Sequence, residues 1–124
     1  MPELPEVETV RRSLTPRLLG RAIADIEVLF PGAIKAMEPD RFCRELLGER
    51  FAALERYGKY LVYCFHSGRF MVMHLRMTGQ AVLVDATEPV DRHVRVRFLL
   101  DDGNELRFSD MRKFGRVQLV EDRA

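Results

Sequence analysis

The sequence predicts a mainly β fold, an antiparallel eight-stranded β-sandwich with an N-terminal helix and a second short helix flanking it. Past Arg50 the chain falls into short runs rich in β-branched and aromatic residues, separated by glycine-bearing turns at close spacing. Before that point only two stretches carry the spacing of an amphipathic helix. The 124 residues, 47% of them hydrophobic, are enough for one domain with its own core, and neither a repeat nor a low-complexity linker divides them.

Taken in order, Val7, Val10, Leu14 and Leu18 are spaced to form one apolar stripe of a helix. Pro5 suits its first turn, Glu6 and Glu8 suit the positive end of its dipole, Thr15-Pro16 marks a kink or restart, and Gly20 ends it. Residues 22–30 read as a strand that Pro31-Gly32 breaks, and residues 40–47 as a short helix stopped by Gly48. Strands are then expected at 51–56, 60–65, 70–75, 80–85, 93–100, 105–110 and 116–120. The breaks between them are Tyr57-Gly58, Ser67-Gly68, Thr78-Gly79, the loop 87–91 with Pro89, the turn 101–104 and Phe114-Gly115.

Composition excludes several functional classes. About three residues in ten are Leu, Ile, Val or Phe and the net charge is +1, which rules out intrinsic disorder and a globally basic nucleic-acid binder. No apolar run approaches the roughly 18 residues of a membrane span, and the first turns lack a signal-peptide core. Cys43 and Cys64 form neither a disulfide framework nor a zinc-ligand spacing, so no metal site is expected and a reduced, cytoplasmic setting fits. The balanced total hides an asymmetry: from Arg56 to Val84 there is neither Asp nor Glu, and between Arg107 and Arg116 the basic residues face Asp110 alone. All basic residues except Lys35, Lys59 and Lys113 are arginine, whose planar fork suits phosphate. Such windows are ordinarily solvated surface, but two of them on hairpin-like segments can converge on one polyanion-binding face.

The N-terminal string Met1-Pro2-Glu3-Leu4-Pro5-Glu6 carries possible chemistry. Removal of Met1 would leave Pro2 as a secondary amine, and an α-amino group titrates near pH ~7.7–8.0, so far more of it is neutral and nucleophilic than of a lysine. Such an amine attacks an aldehyde carbon to give a cationic Schiff base, and a neighbouring carboxylic acid, here Glu3, can shuttle protons. On physical grounds alone the string reads first as a plain N-terminal cap, two prolines stiffening a helix entry with three acids, counting Glu8, on its dipole.

The string Met1 to Val10 closely resembles the N-terminus of the formamidopyrimidine-DNA glycosylase family, the bacterial 8-oxoguanine repair enzymes, which also includes the endonuclease VIII-like enzymes. Further motifs resemble that family in the same order: Tyr57-Gly58-Lys59-Tyr60-Leu61 its lysine hairpin, His74 to Gly79 its intercalating loop, and Asp110 to Gly115 its wedge loop. The resemblance implies Pro2 as the nucleophile at C1′ of the damaged nucleotide, Glu3 as proton donor, Glu6 as a helper that orders the amine, and Lys59 as a phosphate contact and proton donor in strand cleavage. It implies that His74 and His93 bind backbone phosphates. Met77, Arg112 and Phe114 would fill the hole left by the flipped base, an apolar wedge and a ring replacing lost stacking. Phe114, between Lys113 and Gly115 in a loop, is expected to be exposed. The partner implied is damaged double-stranded DNA, bound by a monomer, without a membrane, in the bacterial cytoplasm at the nucleoid. Leu4 favours the oxidised-purine branch of the family. The resemblance also implies a second domain with a helix-two-turn-helix element and a four-cysteine zinc finger. Residues 1–124 contain neither, so they are expected to be the N-terminal catalytic domain alone, with no cofactor of its own and zinc only in the other half.

Overall fold

The computed structural model of the chain describes residues 4–121. A helix, α1 (Leu4–Leu18), leads into strand β1 (Ile23–Val28), a single 3-10 turn (Pro31–Ala33) and helix α2 (Pro39–Leu46). The strands β2 (Phe51–Tyr57), β3 (Tyr60–Phe65), β4 (Phe70–His74), β5 (Gly79–Asp85), β6 (Val94–Leu100), β7 (Asn104–Asp110) and β8 (Arg116–Val120) follow. They form two four-stranded sheets, β1-β6-β7-β5 and β2-β3-β4-β8, antiparallel at every pairing. The expected sandwich is therefore present with all eight strands, each within a few residues of its expected bounds.

The alternation read from the sequence is the alternation of burial. Along β6, Val94, Val96, Phe98 and Leu100 point inward, and along β4, Met71 and Met73 do. All of these but Val94 join Leu61, Tyr63, Leu106, Phe108, Val117 and Leu119 from neighbouring strands in one continuous core. Helix α1 closes that core with Val7, Leu14 and Leu18, and α2 with Phe42 and Leu46, Phe42 standing edge-on to Phe98 at a centroid distance of 6.3 Å. Burial of such side chains contributes roughly 1.5–3 kcal/mol each relative to leaving them in water.

Some local expectations are corrected. Pro16 does not restart α1, which runs through it as one helix to Leu18. Proline lacks the N–H that would reach the carbonyl four residues back, but that residue, Arg12, is exposed, and Pro16 itself is exposed. Burial of Leu14 and Leu18 on either side holds the last turn helical despite it. The first strand is shorter than 22–30 because Leu29 and Phe30 both donate to the carbonyl of Arg95, at 2.8 and 3.1 Å, and so leave the ladder. The loop after it contains the unexpected 3-10 turn. Leu75 lies beyond β4, and His93 stands one residue ahead of β6.

Candidate active site and nucleic-acid interface

The chain passes from one sheet to the other through the loops 75–78 and 111–115, and both leave the sandwich at the same end. The register shows it: Gly79 lies opposite Asp110 on one sheet, and Tyr60, His74 and Arg116 lie in a row on the other. One carboxylate holds the two loops together. Asp110 is 1% exposed. It accepts from the hydroxyl of Thr78 in the first loop and from the backbone N–H groups of Arg112 (3.1 Å) and Gly115 (2.5 Å) in the second. Gly115 is required there, since a Cβ would stand 2.5 Å from the Phe108 ring and 2.9 Å from the His74 carbonyl.

From this pinned base the loop tips project outward. Met77 is 43% and Phe114 49% exposed, the exposure expected of Phe114 from its sequence setting. The Arg112 guanidinium lies 3.9 Å from the Met77 sulfur. Lys113, at φ 61, turns back to place its ammonium 5.0 Å from the centroid of the Phe30 ring. Met77 and Arg112 are thus brought together from two loops that are remote in sequence, and Phe114 projects from the second of them.

The start of α1 approaches the same end. Glu6, Val7 and Val10 line a groove of about 320 Å³ with Leu75, Met77, Thr78 and the start of β5, so Glu6 and Met77 share one concavity. Pro2 and Glu3 lie outside the described residues. Helix and lysine turn are tied by Arg56, which donates to Glu8 at 3.0 Å and to the Gly58 carbonyl at 3.1 Å. Glu8 also receives Arg11 and Arg12, and the hydrogen bonds from Arg11 and then Arg56 hold its carboxyl well below the usual carboxylate range. Lys59 sits half-buried in the two-residue turn between Tyr57 and Tyr60, where Gly58 takes φ +61, a first turn position that favours glycine.

The two histidines occupy different sides of the loops. The His74 ring stacks on Tyr60 with centroids 4.2 Å apart and planes 18° from parallel. Partial burial, with the charges of Arg76, Lys59 and Lys35, pushes its pKa below the ordinary 6.5. His93 lies on the other sheet, its ring 3.9 Å from the Asp91 carboxylate, in a depression shared with Gln80, Ser109 and Met111. The structure does not bring the two together. Sequence reasoning did not single out Asp110, Thr78 or Arg56, whose roles are to hold loops and helix in place. The sequence signals for the first were an acid alone in a basic window and its place at the head of the wedge-loop motif. Among the described residues no group of three or more His, Cys, Asp and Glu is arranged to hold a metal ion. No helix among them is long and apolar enough to cross a membrane.

Comparison with known proteins agrees with this fold. Residues 1–117 match the family model of the formamidopyrimidine-DNA glycosylase N-terminal domain. The chain is 47% identical over 121 residues to the formamidopyrimidine-DNA glycosylase of Lactobacillus gasseri, covering 98% of this chain and 44% of that protein. It is 49% identical over 121 residues to that of Bacillus subtilis, covering 96% of this chain and 43% of the relative. Among solved structures, the Lactococcus lactis enzyme in complex with a FAPY-dG containing DNA superposes with a TM-score of 0.89 at 34% identity, over 95% of this chain and 44% of that one. The same enzyme bound to DNA containing an abasic site superposes with a TM-score of 0.88. The chain spans less than half the length of these relatives. By motif order, sheet topology and sequence identity, this chain belongs to the formamidopyrimidine-DNA glycosylase family.

Proposed function

We propose that this chain is the catalytic half of a bifunctional DNA glycosylase and abasic-site lyase that removes oxidised purines from double-stranded DNA, acting as a monomer in the bacterial cytoplasm. The observation that carries the reading is the convergence, at one end of the sandwich, of the lysine turn, the start of α1 and the exposed Met77, Arg112 and Phe114 on loops pinned by Asp110. An exposed, rigidly based wedge has no use in the core but suits a gap in a base stack.

In this reading Pro2, freed of Met1, attacks C1′ of the flipped nucleotide, and the base departs as Glu3 supplies a proton. The Pro2 nitrogen then loses its proton, the C1′–O4′ bond opens with O4′ taking up a proton, and the iminium so formed withdraws electrons from C2′ and makes its proton acidic. Loss of that proton expels the 3′ phosphate and cuts the strand. No cofactor is required, because the amine belongs to the chain. Glu6, on the wall of the groove that holds Met77, helps to order the amine end of α1. Lys59 contacts phosphate and gives a proton during elimination. His74 and His93 bind backbone phosphates on the two sides of the loops, and Arg112 pairs with the orphaned base.

Borohydride trapping tests this. The chain, with loss of Met1 verified by intact mass, is mixed with a duplex containing one abasic site and reduced. A covalent adduct mapping to Pro2 is the expected result. An adduct formed equally by a chain with an uncleavable N-terminal extension overturns the assignment, since Pro2 is then an amide. No adduct from Met1-free chain, with duplex binding that still falls with salt, makes this a non-catalytic DNA-binding module.

A further inference from the structure

Strand β1 ends early because the backbone N–H groups of Leu29 and Phe30 both turn to the carbonyl of Arg95. That departure seats the Phe30 ring, partly buried against the core, beside Gly32, where a Cβ would stand 2.7 Å from the ring. Two cations lie over the ring. The Arg95 guanidinium carbon is 5.8 Å from its centroid and the Lys113 ammonium 5.0 Å, both within the range at which an aromatic face attracts a cation. The first belongs to β6 and the second to the middle of the loop 111–115.

Both cations are tied to the candidate site. The Arg95 Nε–H donates to the Asp110 carbonyl at 2.9 Å, and another of its N–H groups donates to the Arg92 carbonyl at 3.2 Å. The carbonyl of the next residue, His93, accepts from the Asp110 N–H at 2.9 Å. Arg95 thus joins the chain ahead of His93 to the head of the wedge loop. Lys113 sits at φ 61, in the left-handed region where a side chain crowds its own backbone. Its N–H reaches the Asp110 carbonyl only at 3.4 Å, and its carbonyl accepts from Arg116 at 2.7 Å. Asp110 fixes the loop on either side, through the N–H groups of Arg112 and Gly115, but these bonds do not hold the Lys113 side chain. The Phe30 ring does. A left-handed residue turns the chain sharply, so the conformation of Lys113 sets the directions in which its neighbours Arg112 and Phe114 leave the loop. Leucine at position 30 would meet the packing need equally well, but only a π face draws an ammonium.

We propose that Phe30 is a positioning residue for the wedge: seated by Arg95, its ring draws Lys113 into the left-handed conformation from which Arg112 and Phe114 project. The proposal rests on the wedge reading above and adds to it Phe30 and Arg95, which lie in none of the motifs. The left-handed strain and the cation–π attraction are of similar size, so removing the aromatic face should lower the ratio of left-handed to other Lys113 conformers about two- to fivefold.

The test applies two measurements to the whole chain and to the variants Phe30→Leu, Phe30→Tyr and Leu29→Ala. The first, without DNA, is the NMR cross-peak between the amide and α protons of Lys113, which is strong only when φ is positive. It should weaken in Phe30→Leu, persist in Phe30→Tyr, and stay as in the wild type for Leu29→Ala, at an exposed neighbouring position. The second uses a duplex with an abasic-site analogue opposite 2-aminopurine, whose fluorescence reports side chains entering the gap in the stack. With the duplex saturated, the response should fall in Phe30→Leu and be restored in Phe30→Tyr, while melting curves correct each for its folded fraction. A folded Phe30→Leu chain with the wild-type cross-peak and response overturns the proposal. So does a loss shared equally by Phe30→Leu and Phe30→Tyr, which makes Phe30 a packing residue only. A wild type whose fluorescence response equals that of Phe114→Ala rejects the wedge reading, and the Lys113 cross-peak alone then decides whether the ring holds the loop.

Discussion

The two ends of the sandwich use arginine in opposite ways. At the end formed by the α1–β1 link, the α2–β2 link and the β6–β7 turn, arginines face carboxylates. Arg21 and Arg50 share Asp101, and Arg69 bridges Glu45 and the buried Glu49. From the same half of the first sheet, Glu105 holds both Arg97 and Arg107, whose guanidinium also donates to the carbonyls of Glu88 and Pro89. At the loop end only the helix entry pairs its arginines, Arg11, Arg12 and Arg56 meeting Glu8, while Lys35, Arg76, Arg112, Lys113 and Arg116 take part in no ion pair among the described residues. The one buried acid there, Asp110, spends its hydrogen bonds on the Thr78 hydroxyl and backbone N–H groups. The same side chain therefore braces the fold where a carboxylate answers it and stays open where none does. A balanced net charge conceals this completely, because charge that is neutralised within the fold and charge left open count alike in a sum.

Substitutions should separate the ends, and the largest effect belongs to the paired one. Glu105→Ala leaves Arg107, itself 4% exposed, without its carboxylate. We expect a loss of about 3–5 kcal/mol in urea unfolding, in line with removing one partner of a buried ion pair. An unchanged midpoint would mean that Arg107 is held by the Glu88 and Pro89 carbonyls alone. Next is Asp110→Asn, which keeps the shape but replaces one acceptor oxygen with a donor facing N–H groups. Unfolding should become easier by about 1–3 kcal/mol, and duplex affinity should drop further than the lost folded fraction explains, because both loop tips lose their common base.

A smaller effect tests the bridge between helix and lysine turn through pH. The Glu8 carboxyl is held below its ordinary 4.5 in the folded chain. Its contribution is complete above that value and is lost as pH falls through the folded pKa. Glu8→Gln should therefore flatten the acid-side fall in stability below about pH 4.5. A variant whose acid limb matches the wild type would show that the Arg56 contact contributes nothing. The smallest stability effect should come from Phe114→Ala, within about 0.5 kcal/mol because the ring is half in water. If the ring is a wedge, yet the melting curve stays put, borohydride trapping should be the measurement that collapses. A large stability loss would instead make Phe114 part of the core.

The strands were legible because period-two burial and glycine-bearing turns are local. The alternation in 94–100 and the Tyr57-Gly58 break each lie within a few residues, and their physics needs no distant partner. Errors fell where tertiary packing overrode local preference, as at Pro16, kept helical by Leu14 and Leu18, and at Leu29 and Phe30, drawn off the ladder by one carbonyl of Arg95. Among candidate site residues, Met77, Arg112 and Phe114 could be named from motifs, but the pinning of their two loops depends on Asp110, whose place at the head of the wedge-loop motif does not tell which groups it bonds.

By itself, then, the sequence determined the sandwich and the family, since patterning and motif order are written along the chain. Which charges are paired and which stay open, which loops are bound into one unit, and which cations meet over the Phe30 ring were decided only in three dimensions. The reason is that ion pairs and cavities depend on distances between residues tens of positions apart, and in this chain cross-sheet register and a single buried carboxylate set those distances.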